Sequence, residues 1–403
     1  MQTSIVEMPQ RQALPPHADS NHVPPVHAHA LRRVVVDERR AVAAYHCASI
    51  TPAPAADTPA LARPTFVRCT VTELREGSYE HLDAQHTVIE IQGAQDEPWD
   101  LAVLQAVRKK GFKLAFDARL LRKENAAFVP LAAYVVLEMG VLELDRAAAL
   151  ARGVHSGTKA VALATQVSSA FEYRHLASSG VKLFEGLWFT QPSAKPDKSV
   201  QLSYSSLIQL LNMVVREAEL HEIEDLLRHE PTLSYKLLTY INSPGFGLNI
   251  EIISFRHAVM TVGMKRLFRW TALLIGSTPS GSVAPAVGTL AIVRGRLMEL
   301  LALPEMSQSE ADMAFVVGMF SMLDTLLSMP LADALGLINL PAPMLEALLH
   351  DRGPFASYLA IVKACESADE AQLMLLAARH GVPCERLAAA HLEALAWGEQ
   401  FGR

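Results

Sequence analysis

HTVIEIQGAQDEPWDLAVLQAVRKKGFKLAFDARL, residues His86 to Leu120, decides how the first half of the chain is read. Thr87 to Ile91 is a short apolar run, Asp100 to Lys110 is compatible with a helix, and Phe112 to Phe116 is a second short run. Strand, helix and strand joined in this way need a crossover connection, and crossovers join parallel strands. The alternation extends from Leu31 to about Pro192, with further strand-like runs at Arg33 to Val36, Phe66 to Val71, Tyr134 to Leu137, Val161 to Leu163 and Leu183 to Phe189. Ser169 to Ser178 supplies another helical stretch. An α/β barrel with helices outside is the expected fold of this half.

The pattern changes at QPSAKPDK, Gln191 to Lys198, where two prolines and polar residues carry no period. Beyond it, Leu207, Leu210, Leu211 and Val214 fall at helical spacing, as do Leu233, Leu237, Tyr240 and Ile241. The expected organisation is a leader over 1–30, an α/β domain over 31–192, a linker over 193–198, an all-α domain over 199–395 and a tail over 396–403. Two cores suit 403 residues, because one core rarely grows past about 300.

Half of the residues are apolar and 19% are charged, which makes most of the chain globular. The leader is the exception: rich in Pro and His, it reads as a solvated tail, and His17, His22, His27 and His29 match no fixed ligand geometry. A net charge of -6 argues against a general grip on nucleic acid. Cys47, Cys69, Cys365 and Cys384 form no CxxC pair and read as buried thiols. No apolar run is long enough to span a bilayer; Ala314 to Leu327 is short and carries Asp324. Nor is there a basic-then-apolar signal at the amino terminus. The expectation is a cytoplasmic protein without membrane insertion.

Functional groups of α/β barrels sit at the carboxyl ends of strands. Glu90, Asp117, Glu138 and Glu185 are the acids at such ends, and two or more converging could bind a divalent cation. FEYRHLASSGVKLFEGLWFTQP, Phe171 to Pro192, resembles the end of an EAL domain, and HTVIEIQG, GFKLAFDARL and AAYVVLEMG resemble three earlier EAL strands in order. The resemblance covers about 160 residues. It implies a barrel of TIM type and a cyclic di-GMP phosphodiesterase using two metal ions.

Residue by residue, the same resemblance implies a degenerate EAL domain. His46 stands at the signature Glu and Arg68 at the usual Asn. Glu90 and Asp117 match acidic positions, but Gly93 and Ala118 replace the second acid of each motif. Val136 takes the place of a lysine, Glu138 of an Asp, Thr165 and Ser168 of two glutamates, and Glu185 of a glutamine. On this reading Glu90 and Asp117 are vestigial metal positions, with no catalytic residue, metal or cofactor.

LLRHEPTLSYKLLTYINSPGFGLNIEIISFRHAVMTVGMKRLFRW, Leu226 to Trp270, resembles the opening of an HDOD domain, through its acid-proline step, its Tyr-Ile-Asn-Ser run and the Val262-Gly263 step. HDOD domains look like HD phosphohydrolases without the metal-binding pairs; here Ser321 and Met322 occupy the expected pair. The literal His350-Asp351 lies some thirty residues later beside a Gly-Pro turn. Arg256, Lys265, Arg266 and Arg269 form a candidate partner-binding face, with a solvated helix surface as the alternative. Both halves together resemble the EAL-HDOD signal-transduction proteins. The expectation is a signalling protein, not an enzyme, that acts by contact with other regulatory proteins. Two alternatives stay open: a cyclic di-GMP phosphodiesterase with a rebuilt metal site, and a nucleotide sensor, for which Arg68 and Lys159 are the basic candidates. Homo-oligomerisation stays open.

Overall fold

The computed structural model describes residues 31–49, 59–92, 98–191, 198–242, 252, 254–278, 283–367 and 369–401. Eight strands close a barrel in sequence order: β1 (Arg32–Asp37), β2 (Val42–Cys47), β3 (Thr65–Thr70), β4 (Thr87–Gln92), β5 (Lys113–Asp117), β6 (Ala132–Glu138), β7 (Val161–Thr165) and β8 (Leu183–Glu185). β2 to β8 pair in parallel, whereas β1 runs antiparallel to both its neighbours. The reversal follows from the tight turn after Asp37, whose carboxylate accepts from the Arg39 and Ala41 amides. Helices α1 (Val71–Arg75), α2 (Leu101–Lys109), α3 (Leu144–Gly157) and α4 (Ala170–Ser178) lie between later strands.

The sequence reading places seven of these strands and omits β2. VAAYHC is buried on both faces, so it shows no alternation to read. The run expected over Leu183 to Phe189 stops at Glu185. Gly186 has φ of +144°, and a Cβ there would sit 2.1 Å from the Val167 carbonyl oxygen, so the chain must turn at a glycine.

The barrel interior is filled by one apolar layer to which Val35, Ala44, Phe66, Val88, Ala115, Val136 and Leu163 contribute, one from each of β1 to β7, with Leu183 of β8 packed against them. Side chains alternate along a strand, so the next inward-facing residue lies two positions on. That rule builds the mouth of the barrel.

The second half is helical throughout its described residues: α5 (Lys198–Val215), α6 (Leu220–His229), α7 (Pro231–Ile241), α8 (Phe255–Ser277), α9 (Pro285–Ala302), α10 (Gln308–Phe320), α11 (Leu323–Leu327), α12 (Leu331–Gly336), α13 (Ala342–His350), α14 (Ala356–Glu366), α15 (Glu370–Arg379) and α16 (Cys384–Gly398). α8 is kinked at Gly263, whose φ of 78° interrupts the helical path. α9 and α10 touch backbone to backbone: a Cβ on Gly318 would lie 2.6 Å from the Arg294 carbonyl oxygen.

The helical half is docked on the first hairpin of the barrel; α9 meets β2 and α14 meets β1. Glu399, only 6% exposed, accepts from the Tyr45 hydroxyl and from the Ala62 and Arg63 amides, and pairs with the Arg63 guanidinium. The Ala286 amide donates to the Arg40 carbonyl, and the Thr325 hydroxyl to that of Thr190.

Candidate functional site

Two residues beyond the apolar layer, in the direction of β2 to β8, stand His46, Arg68, Glu90, Asp117, Glu138, Thr165 and Glu185; β1, running the other way, brings Arg33. The ladders confirm the common level, pairing Arg33 with His46, Arg68 with Glu90, and Glu138 with Thr165. The structure therefore gathers at the mouth seven of the positions singled out from sequence. It also adds Arg33, which the repeat of two within RRVVVD would have revealed once β1 was known to run backwards.

Five of these residues form a continuous ionic chain. Arg68 donates through Nε to Glu90 Oε1 at 2.9 Å, and Glu90 Oε2 lies 2.8 Å from His46 Nε2. His46 Nδ1 lies 3.0 Å from Glu185 Oε2, and Glu185 Oε1 faces Arg33 Nε at 3.2 Å. His46 is fully buried, and Glu90 and Glu185 nearly so. Burial disfavours the charge on His46, but the two carboxylates outweigh it and raise the imidazolium to about 9. Burial likewise disfavours charge on Glu90 and Glu185; His46 with Arg68, and His46 with Arg33, nevertheless hold both carboxyls below the usual range. The sequence of charges is plus, minus, plus, minus, plus.

The remaining mouth groups are also engaged. Asp117 accepts from the Arg119 amide and takes its guanidinium on both oxygens, with Arg119 lying over the Trp99 ring. Glu138 accepts from Gln166 Nε2 at 2.7 Å. The Thr165 hydroxyl is buried with no hydrogen-bond partner among the described residues. Arg68 makes its contact with Glu90 through Nε, and among the described residues no carboxylate pairs with its two terminal amino groups.

Other expected positions fall elsewhere. Val136 belongs to the apolar layer beneath the mouth, because the inward period puts Glu138 at the rim. Ala118 opens a 3-10 turn capped by Asp117, and Ser168 bonds Glu172 at the start of α4. Gly93 lies outside the described residues. Lys159 precedes β7, at the opposite end of that strand from Thr165.

In the helical half, the Ser321 hydroxyl donates to the Gly318 carbonyl and accepts from Arg294, whose guanidinium grips Glu366 on both oxygens. Met322 is buried. The basic cluster does not share one face. Arg256 is bound by Glu224, while Arg269 is held between Glu299 and Asp312 with its guanidinium carbon 4.4 Å over the Phe315 ring. Arg266 is exposed, and the Lys265 side chain lies outside what the structure describes. His350 ends α13, and Asp351 follows in left-handed backbone as its cap.

An EAL-type barrel implies metal ions, and the mouth as arranged does not fit them. Every carboxylate in the ring already faces a cation or an amide, and among the described residues no group of three His, Cys, Asp or Glu could hold a metal ion. A hard cation needs several oxygens converging on it.

The HDOD domain model matches residues 202–285. Among curated proteins the chain is 25% identical over 325 residues to the cyclic di-GMP phosphodiesterase CdgJ of Vibrio cholerae, covering 80% of this chain and 75% of CdgJ. It is 27% identical over 209 residues to YuxH of Bacillus subtilis, an uncharacterised protein, about half of each chain being covered. Among solved structures it resembles the YkuI protein of Bacillus subtilis, which has an EAL domain and was solved with cyclic di-GMP and calcium; the match has 12% identity, covers 50% of this chain and 72% of that one, and has a TM-score of 0.30. The match to CdgJ, a named phosphodiesterase aligned over four-fifths of this chain, overturns the expectation that the chain is not an enzyme. Substitutions read one position at a time at strand ends do not exclude the activity. Among the described residues no helix is long and apolar enough to cross a membrane.

Proposed function

We infer that this EAL-HDOD protein acts in cyclic di-GMP signalling by engaging the dinucleotide at the mouth of its barrel, while its helical domain carries the output to other regulatory proteins. The observation that carries the reading is Arg68, held on Glu90 through Nε at 2.9 Å at the carboxyl end of β3. A guanidinium fixed by one edge presents its other edge as a planar pair of donors, the geometry that phosphate oxygens accept. The named activity of CdgJ and the position of the ring at the strand ends support the same place. Tyr134 and Phe66, in edge-to-face contact 4.9 Å apart, stiffen the floor beneath it. The reading takes 31–192 as the nucleotide-facing domain and 199–395 as the output domain, joined over 193–198.

Calorimetric titration of the full chain with cyclic di-GMP, with and without magnesium or manganese, tests this, with the same samples assayed for the linear dinucleotide. Micromolar binding is expected, weakened at least tenfold in Arg68→Ala. Linear product would place the named activity of CdgJ in this chain as well. No heat in the wild-type chain under any of these conditions would overturn the proposal.

A further inference from the structure

A second cationic feature lies far from the barrel mouth in sequence. α14 and α15 are joined by three residues and run antiparallel, and between them opens a groove of about 810 Å³. Arg352, Lys363, Arg379 and His380 line it, all four exposed. None of their side chains enters an ion pair among the described residues. Asp351 is the one acid in the lining, in a chain whose net charge is -6. The cations of the HDOD opening behave differently: Arg256 and Arg269 are both neutralised by neighbouring helices.

We propose that this groove docks an acidic segment of a partner protein. Ala356, Ala360 and Ala364, one turn apart on α14, line the groove and give an incoming chain close access to the helix. Lys363 lies toward the α14–α15 connection, and Arg352, Arg379 and His380 toward the other end. α14 begins at Ala356, after Arg352, and at 1.5 Å per residue Lys363 lies roughly 10 Å along the helix from that start, so an occupant needs more than one anionic group to meet both. A small-molecule site encloses most of its ligand and fixes it with a few convergent polar groups. Here every cation lies on an exposed rim, which suits a segment laid along the groove. Exposed charges attract over about 8 to 10 Å at ordinary salt, enough to steer such a segment. The opposite side of the platform is anchored: Glu366 of α14 is clamped by Arg294, and α14 touches β1.

The test is fluorescence anisotropy on the full chain with a fluorescein-labelled Glu-Ala repeat peptide at low and physiological salt. The wild-type chain should bind, with affinity falling as salt rises. Arg352→Glu with Lys363→Glu and Arg379→Glu should lose at least tenfold, and the same three positions changed to Gln should lose less, with unchanged circular dichroism in both. Arg108→Glu with Lys109→Glu, exposed on α2, should bind as wild type. No binding by the wild-type chain, or equal loss in the α2 control, would overturn the proposal. ATP displacing the peptide at equal concentration would overturn it in favour of a phosphate ligand. The barrel reading is independent of every arm.

Discussion

The barrel mouth and the α9–α10 contact solve opposite packing problems. In the mouth, five charged side chains are brought together, three of them almost wholly buried, and each is tolerated only because its neighbour carries the opposite sign. Where α9 crosses α10, Gly295 and Gly318 let the two backbones touch, and no side chain comes between them at that point. The first arrangement is fragile to the loss of any one partner; the second is fragile to the addition of a single methyl group. The difference teaches what fixes each place: complementary charge at the mouth, and shape at the point where α9 and α10 cross.

His46→Ala should break the comparison most severely. It leaves Glu90 and Glu185 buried and facing each other without the imidazolium, a loss of about 3–5 kcal/mol that urea unfolding would register. His46→Ala combined with Glu90→Gln and Glu185→Gln should recover much of that loss, because the uncompensated charge is then gone. Glu399→Ala should come next, costing about 1.5–3 kcal/mol by orphaning donors on β2 and the following loop. Gly318→Ala should cost about 1–3 kcal/mol by forcing α10 off Arg294, with no dependence on pH.

Acidity sharpens the same contrast. His46 titrates near 6.5 when unfolded and near 9 when folded, so its contribution is complete below about pH 6.5 and disappears as pH rises through 9. Unfolding midpoints measured from pH 6 to 10 should fall over that window in the wild-type chain and fall less in the triple variant. Glu90 and Glu185 act with the opposite sign: their contribution, present above the ordinary glutamate range, is lost as pH drops through their lowered folded values.

Much of the architecture was legible because it rests on local periodicity. The run of Thr87 to Ile91 and the helix of Asp100 to Lys110 reappear as β4 and α2 almost to the residue. β2 escaped because both its faces are covered, one by the barrel interior and the other by the helical half, which leaves no polar alternation. The mouth was half legible. The strand ends supplied Glu90, Asp117, Glu138 and Glu185, and the EAL resemblance supplied His46, Arg68 and Thr165, but neither told what they bind, since the Glu185 that meets His46 comes 139 residues later. The basic cluster on α8 failed as a single face for the same reason: Glu224, Glu299 and Asp312 come from other helices.

Glu399 gives the joint between the halves a mechanical meaning. One carboxylate near the far end of the chain holds the hydroxyl of Tyr45, the residue beside His46, together with the two amides that lead into β3. Tension applied between the strands of the first hairpin and the last helix would therefore load a cluster of hydrogen bonds in parallel, and the barrel wall at β2 would yield together with that clasp instead of peeling away strand by strand. A graft of the helical half onto another barrel would arrive without its counterpart, and this barrel left alone would lose the tether on the strand that presents its buried imidazolium.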